Sequence, residues 1–437
     1  MAVLRRIKIG KFRNVVPGTE FELHPRLNVL LGKNGTGKTT LLQWLADVLS
    51  DNTDAWADEA YEVELEFESD SICATFKLQN TIEQPDRVFP IPGALEGTNI
   101  GSSRPPKSGQ LTVELRLTTP EHAYEVHSTS RETSVQRDGQ DLSRMPGGTI
   151  RGWHLVKRII DCEGDLARRT MLMPLLGALR AASTLCRFDE ALRFFQSIVA
   201  DKGQDDRARI VFQFDWEFNV FWRSPQLIPE DLAIALDRVF HLDHKARTLE
   251  VTGKDFAVLE TAATVFDHRA ISLRAELLDS GAFGASGGGS ADFFEFGRLS
   301  FIIERRDGSV FRHDRLSFGQ KRMLAFLYYL ALCPRLIIVD ELVNGLHHEW
   351  IRRCMEEIGD RQGLLTSQNP LLLDYLTFDS ADEMRRRFIL CRSRQKEDGS
   401  EELVWRNPTP EEAESFYKAY QVAIQHVGEI LIDKGLW

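Results

Sequence analysis

The sequence predicts an α/β fold with a mixed sheet, an antiparallel β-subdomain and a helical insertion. Three observations carry this prediction. A short apolar run is followed by a glycine-rich loop and then by an apolar run at helical spacing. Runs with a period of two, typical of half-buried strands, come next. Far along the chain, a second apolar strand ends in two carboxylates, so that two distant segments are expected to build one core.

Composition excludes several classes of protein. With 437 residues, 43% of them hydrophobic and 27% charged, the chain is not dominated by disorder. It has no run of about 18 apolar residues and no readable export signal, and its six cysteines form no CxxC pair. We therefore expect a cytoplasmic protein with reduced thiols. The formal charge of −11 disfavours dedicated binding to DNA.

The pattern along the chain divides it into four segments. We expect the N-terminal part of the core over residues 1–60 and the β-subdomain over 61–145. A mainly helical insertion should occupy 146–294, in pieces too short for a long coiled coil, with a flexible Gly/Ser-rich loop over 281–292. The C-terminal part of the core, with further helices, should follow over 295–437.

The glycine-rich loop matches G-x-x-x-x-G-K-[ST] at every fixed position. Its glycines let backbone N–H groups surround a phosphate, Lys38 reaches the β- and γ-phosphate oxygens, and Thr39 offers a hydroxyl to Mg²⁺. The alternative is a chance glycine turn before a helix. The residues that we expect to bind ATP here are Gly32, Lys33, Asn34, Gly35, Thr36, Gly37, Lys38, Thr39 and Thr40.

The downstream strand ends in Asp340 and Glu341. Asp340 is expected to hold Mg²⁺, and Glu341 to orient or deprotonate the attacking water. Alternatively, both carboxylates cap the following helix. The presence of the phosphate-binding loop favours the catalytic interpretation, in which Glu341 and Lys38 are catalytic residues.

Between these motifs lies Leu316-Ser317-Phe318-Gly319-Gln320, followed by a helical apolar run. It resembles the LSxGQ signature of ABC-type ATPases. The resemblance implies an ABC-type P-loop ATPase head, in which Ser317, Gly319 and Gln320 contact the γ-phosphate of a nucleotide held by the other subunit. The simpler alternative is that Ser317 only caps a core helix.

Two further stretches narrow the resemblance. Asp340 to His347 is similar to the D-E-x-x-N-G-L-H stretch of the SMC, RecF and OLD-like branch of these ATPases, which includes ATPase subunits of bacterial antiphage systems. Ile9 to Asn14 is similar to the branch's N-terminal I-x-x-F-[RK]-[NS] strand. The resemblance implies that Arg13, Asn344 and His347 approach the nucleotide; a helix-entry turn is the alternative for the last two.

The branch usually places a histidine that senses the γ-phosphate two residues before a proline; here Gln368 takes that place, before Asn369-Pro370, and the resemblance implies that it is a third catalytic residue. Glutamine donates a hydrogen bond but cannot become cationic. Slow hydrolysis, or a site that mainly binds ATP, is therefore an open alternative, as is a Gln368 side chain that only satisfies a turn.

The resemblance implies a dimer that forms head to head around two Mg-ATP molecules. Residues 376–437 contain no D-x-D pair, so we expect no Toprim nuclease domain in this chain. The resemblance to antiphage ATPase subunits then implies a switch or scaffold for a separate effector, such as a nuclease, in antiphage defence; a stand-alone ATPase is the alternative. A RecF-like repair ATPase that clamps DNA and a non-hydrolysing ATP sensor are the alternatives.

Overall fold

The fold is described from a computed structural model. It covers residues 2–50, 52–69, 72–82, 109–146, 152–182, 185–199, 212–215, 220–223, 228–242, 247–284, 290–422 and 424–437. Its strands are β1 (Val3–Phe12), β2 (Thr19–Glu22), β3 (Leu27–Leu31), β4 (Tyr61–Ser69), β5 (Ile72–Ile82), β6 (Gly109–Thr118), β7 (Ala123–Ser128), β8 (Glu132–Arg137), β9 (Gln140–Pro146), β10 (Phe212–Asp215), β11 (Val220–Arg223), β12 (Thr248–Val251), β13 (Ala270–Gly284), β14 (Ser290–Glu304), β15 (Val310–Arg312), β16 (Leu336–Val339), β17 (Gln362–Thr366), β18 (Phe388–Gln395) and β19 (Glu401–Arg406). Its α-helices are α1 (Lys38–Leu49), α2 (Trp153–Cys162), α3 (Leu166–Ala182), α4 (Phe188–Val199), α5 (Glu230–Leu242), α6 (Ala257–Val265), α7 (Phe318–Leu332), α8 (His348–Ile358), α9 (Ala381–Arg387), α10 (Pro410–Val422) and α11 (Val427–Asp433).

The chain forms two compact units. The first unit comprises Met1–Thr184, Gln362–Thr366 and Phe378–Trp437, and the second comprises Leu185–Arg361 and Ser367–Thr377. Each unit contains segments that are far apart in the sequence. Both are mixtures of helices and sheets, which confirms the predicted α/β class.

In the first unit, β1, β2 and β4–β9 form one antiparallel sheet in the order β2-β1-β4-β5-β6-β7-β8-β9. Strands with alternating patterns, such as Tyr61–Ser69, bury every second side chain. In the same unit, β3 lies between β17 and β18 and is parallel to both, and β19 pairs antiparallel with β18. Since all five residues of β3 are buried, this strand provides a fixed base for the loop that follows it.

An aromatic cluster anchors α1 in the first unit. Trp44 stacks on Phe12, with ring centroids 4.2 Å apart, and meets Tyr61 edge to face. The carboxylate of Asp47, on the same helix, accepts a hydrogen bond of 2.9 Å from the indole of Trp56. These contacts fix the helix whose first turn carries Lys38 and Thr39.

In the second unit, α7 is the central helix. Nine of its fifteen residues are buried, in contact with α4, α6 and α8. The hydroxyl of Tyr329 lies 3.0 Å from the carbonyl oxygens of Cys186 and Ile338 and accepts a hydrogen bond of 2.8 Å from the Ile338 N–H. Burial raises the pKa of this hydroxyl, which therefore stays neutral and links α7 to β16, the strand that precedes Asp340.

The structure differs from the expectation for 146–294. Helices α2 and α3 belong to the first unit, whereas the remainder belongs to the second unit and includes five strands, β10–β14. Short apolar runs do not distinguish strand from helix, which explains why β13 was not foreseen.

The flexible loop predicted over 281–292 is wrong at both of its ends. Gly281–Gly284 pairs with Ser290–Phe293 in an antiparallel hairpin, because the backbone hydrogen bonds of a hairpin do not depend on large side chains. Residues 285–289 of the predicted loop lie outside the described part of the chain.

Candidate functional site

The predicted phosphate-binding loop connects the end of β3 to the start of α1. The ammonium of Lys38 donates hydrogen bonds to the carbonyl oxygens of Gly32, at 2.6 Å, and Lys33, at 2.9 Å. The Thr36 hydroxyl donates to the Lys33 carbonyl at 2.8 Å. With only 8% of Lys38 exposed, its charge is held against the loop backbone. Thr39 and Thr40 occupy the first turn of the helix behind it.

Two glycines of the loop lie too close to neighbouring strands for a side chain to fit without displacing them. Gly37 has a left-handed backbone (φ +80°), and a Cβ there would lie 2.8 Å from the side chains of Leu403 and Trp405. A Cβ on Gly32 would lie 2.1 Å from the Cys391 carbonyl oxygen. The loop is therefore pressed against β18 and β19, and its glycines are required for this close approach.

Trp405 supports the loop and was not singled out from the sequence. Its indole N–H donates a hydrogen bond of 2.9 Å to the Thr36 carbonyl oxygen, and the residue is only 1% exposed. The sequence pattern around Trp405 predicts only a strand. No local pattern connects it with a loop that lies 369 residues away.

Arg13 has a defined partner in the first unit. Its Nε and one terminal nitrogen donate to the two oxygens of the Glu59 carboxylate, and its guanidinium carbon lies 5.1 Å from the centroid of the Trp56 ring. These hydrogen bonds raise the pKa of Arg13. The backbone of Arg13 is left-handed, with φ +43°. In this structure Arg13 is thus an ion-paired residue beside α1, and its predicted contact with nucleotide stays a prediction.

In the second unit, the predicted signature begins α7. Ser317 is the N-cap: its hydroxyl accepts a hydrogen bond of 3.2 Å from the Gln320 N–H, while the Gln320 side chain accepts one of 3.0 Å from the Ser317 N–H. Phe318 is 66% exposed, and the space around Gly319 is open, with one atom at 4.0 Å from an added Cβ. The capping alternative is therefore observed, and a contact to a second subunit through the same turn stays a prediction.

Glu341 lies in a turn immediately after β16. Its carboxylate accepts one hydrogen bond from the amide of Asn344 and another from the amide of Gln368, one at each oxygen. Its φ is +50°, which is uncommon for a residue other than glycine. The structure thus brings Glu341, Asn344 and Gln368 together around one carboxylate.

The other two predicted residues of this segment are placed differently. Asp340 is the last residue before Glu341 and is partly exposed. His347 is the N-cap of α8 without a side-chain capping bond, and its ring lies 4.4 Å from that of His348. The loop residues and Arg13 belong to the first unit, whereas the residues from Ser317 to His347 and Gln368 belong to the second.

Two short arginine runs of the chain, residues 5–6 and 385–387, could bind nucleic acid, and carboxylates pair with both. Arg5 pairs with Glu68, and Arg6 with Glu20, Glu64 and Glu66. The other basic run pairs with acidic residues of the first unit in the same way: Arg385 with Glu22 and Asp382, Arg386 with Asp382, and Arg387 with Glu383. Neither run presents a free cationic surface.

Two families match the chain over separate ranges. The family described as "AAA domain" matches residues 6–146, which include the phosphate-binding loop. The family described as "AAA domain, putative AbiEii toxin, Type IV TA system" matches residues 190–374, which include the signature, the two carboxylates and Gln368. No curated protein matches the chain.

Several solved structures are similar to the chain at low identity. An SMC head bound to the C-winged helix domain of ScpA is 12% identical over 93% of this chain and 98% of that chain, with a TM-score of 0.39. The SMC head domain from Thermotoga maritima is 12% identical over 92% and 98%, with a TM-score of 0.36. A third, from Pyrococcus furiosus, is an SMC head with an extended coiled coil bound to the C-terminal domain of ScpA; it is 13% identical over 97% and 99%, with a TM-score of 0.33.

Within the described ranges, no helix is long and apolar enough to cross a membrane.

Proposed function

We propose that the chain is an AAA-type ATPase that binds and hydrolyses Mg-ATP with the Gly32–Thr39 loop and Glu341. The observation that carries this proposal is the loop geometry: a buried strand, a glycine loop pressed against its neighbours, and Lys38 held inside the loop at the start of a helix. Such a loop directs N–H groups, an ammonium and the positive end of a helix toward an anion.

The residues present fit the nucleotide and its metal ion. A Cβ at Gly32 or Gly37 would collide with β18 or β19, so glycine at these positions lets the loop pack against those strands, and the Lys38 ammonium inside the loop supplies a positive charge for the phosphates. The hydroxyl of Thr39 and the carboxylate of Asp340 are oxygen donors of the kind that Mg²⁺ prefers. When bound, Mg-ATP supplies the phosphoanhydride bond that is cleaved.

The residues of the proposed site have separate roles in hydrolysis. The Lys38 ammonium offsets negative charge on the terminal phosphates. Glu341 takes the proton of the attacking water at one carboxylate oxygen. The Asn344 and Gln368 amides, which donate to that carboxylate, orient it. Gln368 then acts on the water indirectly, through Glu341.

We also propose that two chains form a head-to-head dimer, in which the α7 N-terminus and Gly319 of one chain complete the site of the other. Arg13 and His347 would approach the nucleotide in that state. The resemblance to antiphage ATPases supports control of a separate effector protein. The neutralised basic runs make a DNA clamp the weaker candidate.

Replacement of the loop lysine tests the proposal. Lys38→Ala should weaken ATP binding at least about tenfold, because charge-assisted contacts to phosphate are lost. Lys8→Ala, which removes an exposed lysine from β1 of the same unit, should leave binding and hydrolysis unchanged. Calorimetric titration with ATP and release of phosphate are the measurements. Equal ATP affinity in Lys38→Ala and the parent would refute the assignment of the loop. If the parent binds ATP but releases no phosphate, the protein is an ATP sensor instead.

A further inference from the structure

Arg322 makes a contact that the signature motif itself does not predict. It is the fifth residue of α7, and one of its terminal nitrogens donates a hydrogen bond of 3.0 Å to the carbonyl oxygen of Glu341. Its Nε also points at the Leu342 carbonyl oxygen, at a longer 3.4 Å. A planar guanidinium is suited to such a fork, because it offers several N–H groups in fixed directions.

The guanidinium is held in place from its other side. It lies 5.2 Å from the centroid of the Phe188 ring, which belongs to α4 in the same unit. Arg322 is half-buried, and burial lowers its pKa while leaving it charged at neutral pH. Its neighbour Lys321 is exposed and donates a hydrogen bond of 2.8 Å to the Asp314 carbonyl oxygen. The two adjacent cations of α7 therefore bind backbone carbonyls in different parts of the second unit.

The turn that Arg322 binds has an unusual backbone. Glu341 adopts φ +50°, where a side chain crowds its own backbone, so its conformation depends on outside contacts. The Asn344 and Gln368 amides hold the carboxylate end, and Arg322 holds the backbone end. Among these three contacts, only that of Arg322 comes from the helix that begins at Ser317.

We propose that Arg322 is a positioning residue that couples the Ser317 end of α7 to the Glu341 carboxylate. The capping box ties Ser317 to the first turn of α7, and Arg322 lies on the next turn of the same helix, so that a shift of this helix end moves the Glu341 backbone. The signature thus regulates the orientation of the catalytic carboxylate within one chain. This inference rests on the proposed function, because it assigns to Glu341 the role given above.

The test compares four variants of the full chain in ATP binding, steady-state hydrolysis and thermal unfolding. Arg322→Met keeps the aliphatic stem and removes the donors; it should lower kcat about tenfold to a hundredfold, while KM and the affinity for ATP stay within about twofold. Arg322→Lys retains the charge and one donor and should recover part of kcat. Lys321→Met, the matched control on the same helix, should retain parental kcat. Glu341→Gln should bind ATP and lose nearly all turnover.

The outcomes separate the inference from the proposed function. If Glu341→Gln is inactive while Arg322→Met retains parental kcat, the coupling is refuted and the proposed function stands. If Glu341→Gln hydrolyses ATP at the parental rate, the proposed function fails. A purely structural role for Arg322 would lower ATP affinity and the unfolding temperature together with kcat, and Arg322→Lys serves as the test if Arg322→Met does not fold.

Discussion

Glu341 shows how several residues determine the state of one side chain. Its left-handed backbone costs on the order of 1–2 kcal/mol relative to an ordinary conformation. Asn344, Gln368 and Arg322 offset this cost with hydrogen bonds to both ends of the residue. A carboxylate held in this way has a fixed direction before any ligand binds, which is the property that a general base needs.

His24 gives a pH dependence that can be measured without nucleotide. Its side chain is 12% exposed, and its Nδ1 accepts a hydrogen bond of 3.2 Å from the Arg26 N–H. Burial, and then the nearby Arg387, lower the pKa of His24 to about 4, although Glu383 opposes this shift. The folded protein therefore keeps His24 neutral at pH values where the unfolded chain, with a pKa near 6.5, binds a proton.

Because the folded pKa is the lower one, the contribution of His24 to stability is complete above about pH 6.5 and is lost as the pH falls toward 4. Between pH 7 and pH 5 the parent should lose about 1–2 kcal/mol more than His24→Gln in the free energy of unfolding. Chemical denaturation at both pH values gives this difference. His127→Gln, at an exposed site on β7, is the control and should follow the parent; a His24→Gln variant that also follows the parent would contradict the prediction.

At the scale of elements, the β18–β19 hairpin determines the shape of the phosphate-binding loop. The Cys391 carbonyl oxygen lies 2.1 Å from where a Cβ of Gly32 would be, and the Leu403 and Trp405 side chains lie 2.8 Å from where a Cβ of Gly37 would be. Burial raises the pKa of the Cys391 thiol to about 12, so it stays a neutral packing group beneath the loop. A hairpin near the end of the chain thus shapes a loop near its start.

Trp405→Phe tests this support. The variant keeps an aromatic ring but leaves the Thr36 carbonyl without the indole donor, a loss of about 1 kcal/mol in a buried site. We expect the affinity for ATP to fall about fivefold, with a smaller change in kcat. Trp153→Phe, on α2, is the matched control and should bind ATP like the parent, as measured by titration calorimetry. Parental affinity in Trp405→Phe would show that the loop keeps its shape without this bond.

At the scale of the whole molecule, the proposed site combines the phosphate-binding loop of one chain with the Ser317 turn of another, so its test requires the dimer. If the Ser317 turn acts on the nucleotide of a second subunit, the two contacts of a two-fold dimer are equivalent. Ser317→Arg should then leave ATP binding intact, since Lys38 is unchanged, and abolish the ATP-induced dimer of this variant, because the bulk of the new side chain blocks both of its equivalent contacts. Sedimentation with and without ATP measures this effect.

Mixing two inactive variants provides the complementary experiment. Chains with Ser317→Arg supply an intact phosphate-binding loop, and chains with Lys38→Ala supply an intact signature, so that one complete site forms in each mixed dimer. The mixture should hydrolyse ATP although neither variant alone does. Parental hydrolysis by Ser317→Arg alone would reduce Ser317 to the helix cap that the structure shows.

The sequence by itself determined those features of this protein whose residues lie next to one another along the chain. The glycine loop between an apolar strand and a helix, the capped start of α7 and the carboxylates after a buried strand are local patterns, because each depends on spacing within about ten residues. The α/β class followed from the same periodicities. The sequence pattern did not predict the long β13–β14 hairpin, because short apolar runs fit both a helix and a strand.

Only the tertiary structure decided which distant groups meet. It pairs Arg13 with Glu59, places Gln368 on Glu341 rather than leaving it a turn residue, and brings the Trp405 indole to Thr36. It also directs Arg322 to the Glu341 backbone. The physical reason is that such contacts arise when packing brings together segments that the chain separates, and a pairwise hydrogen bond leaves no periodic signal in either segment.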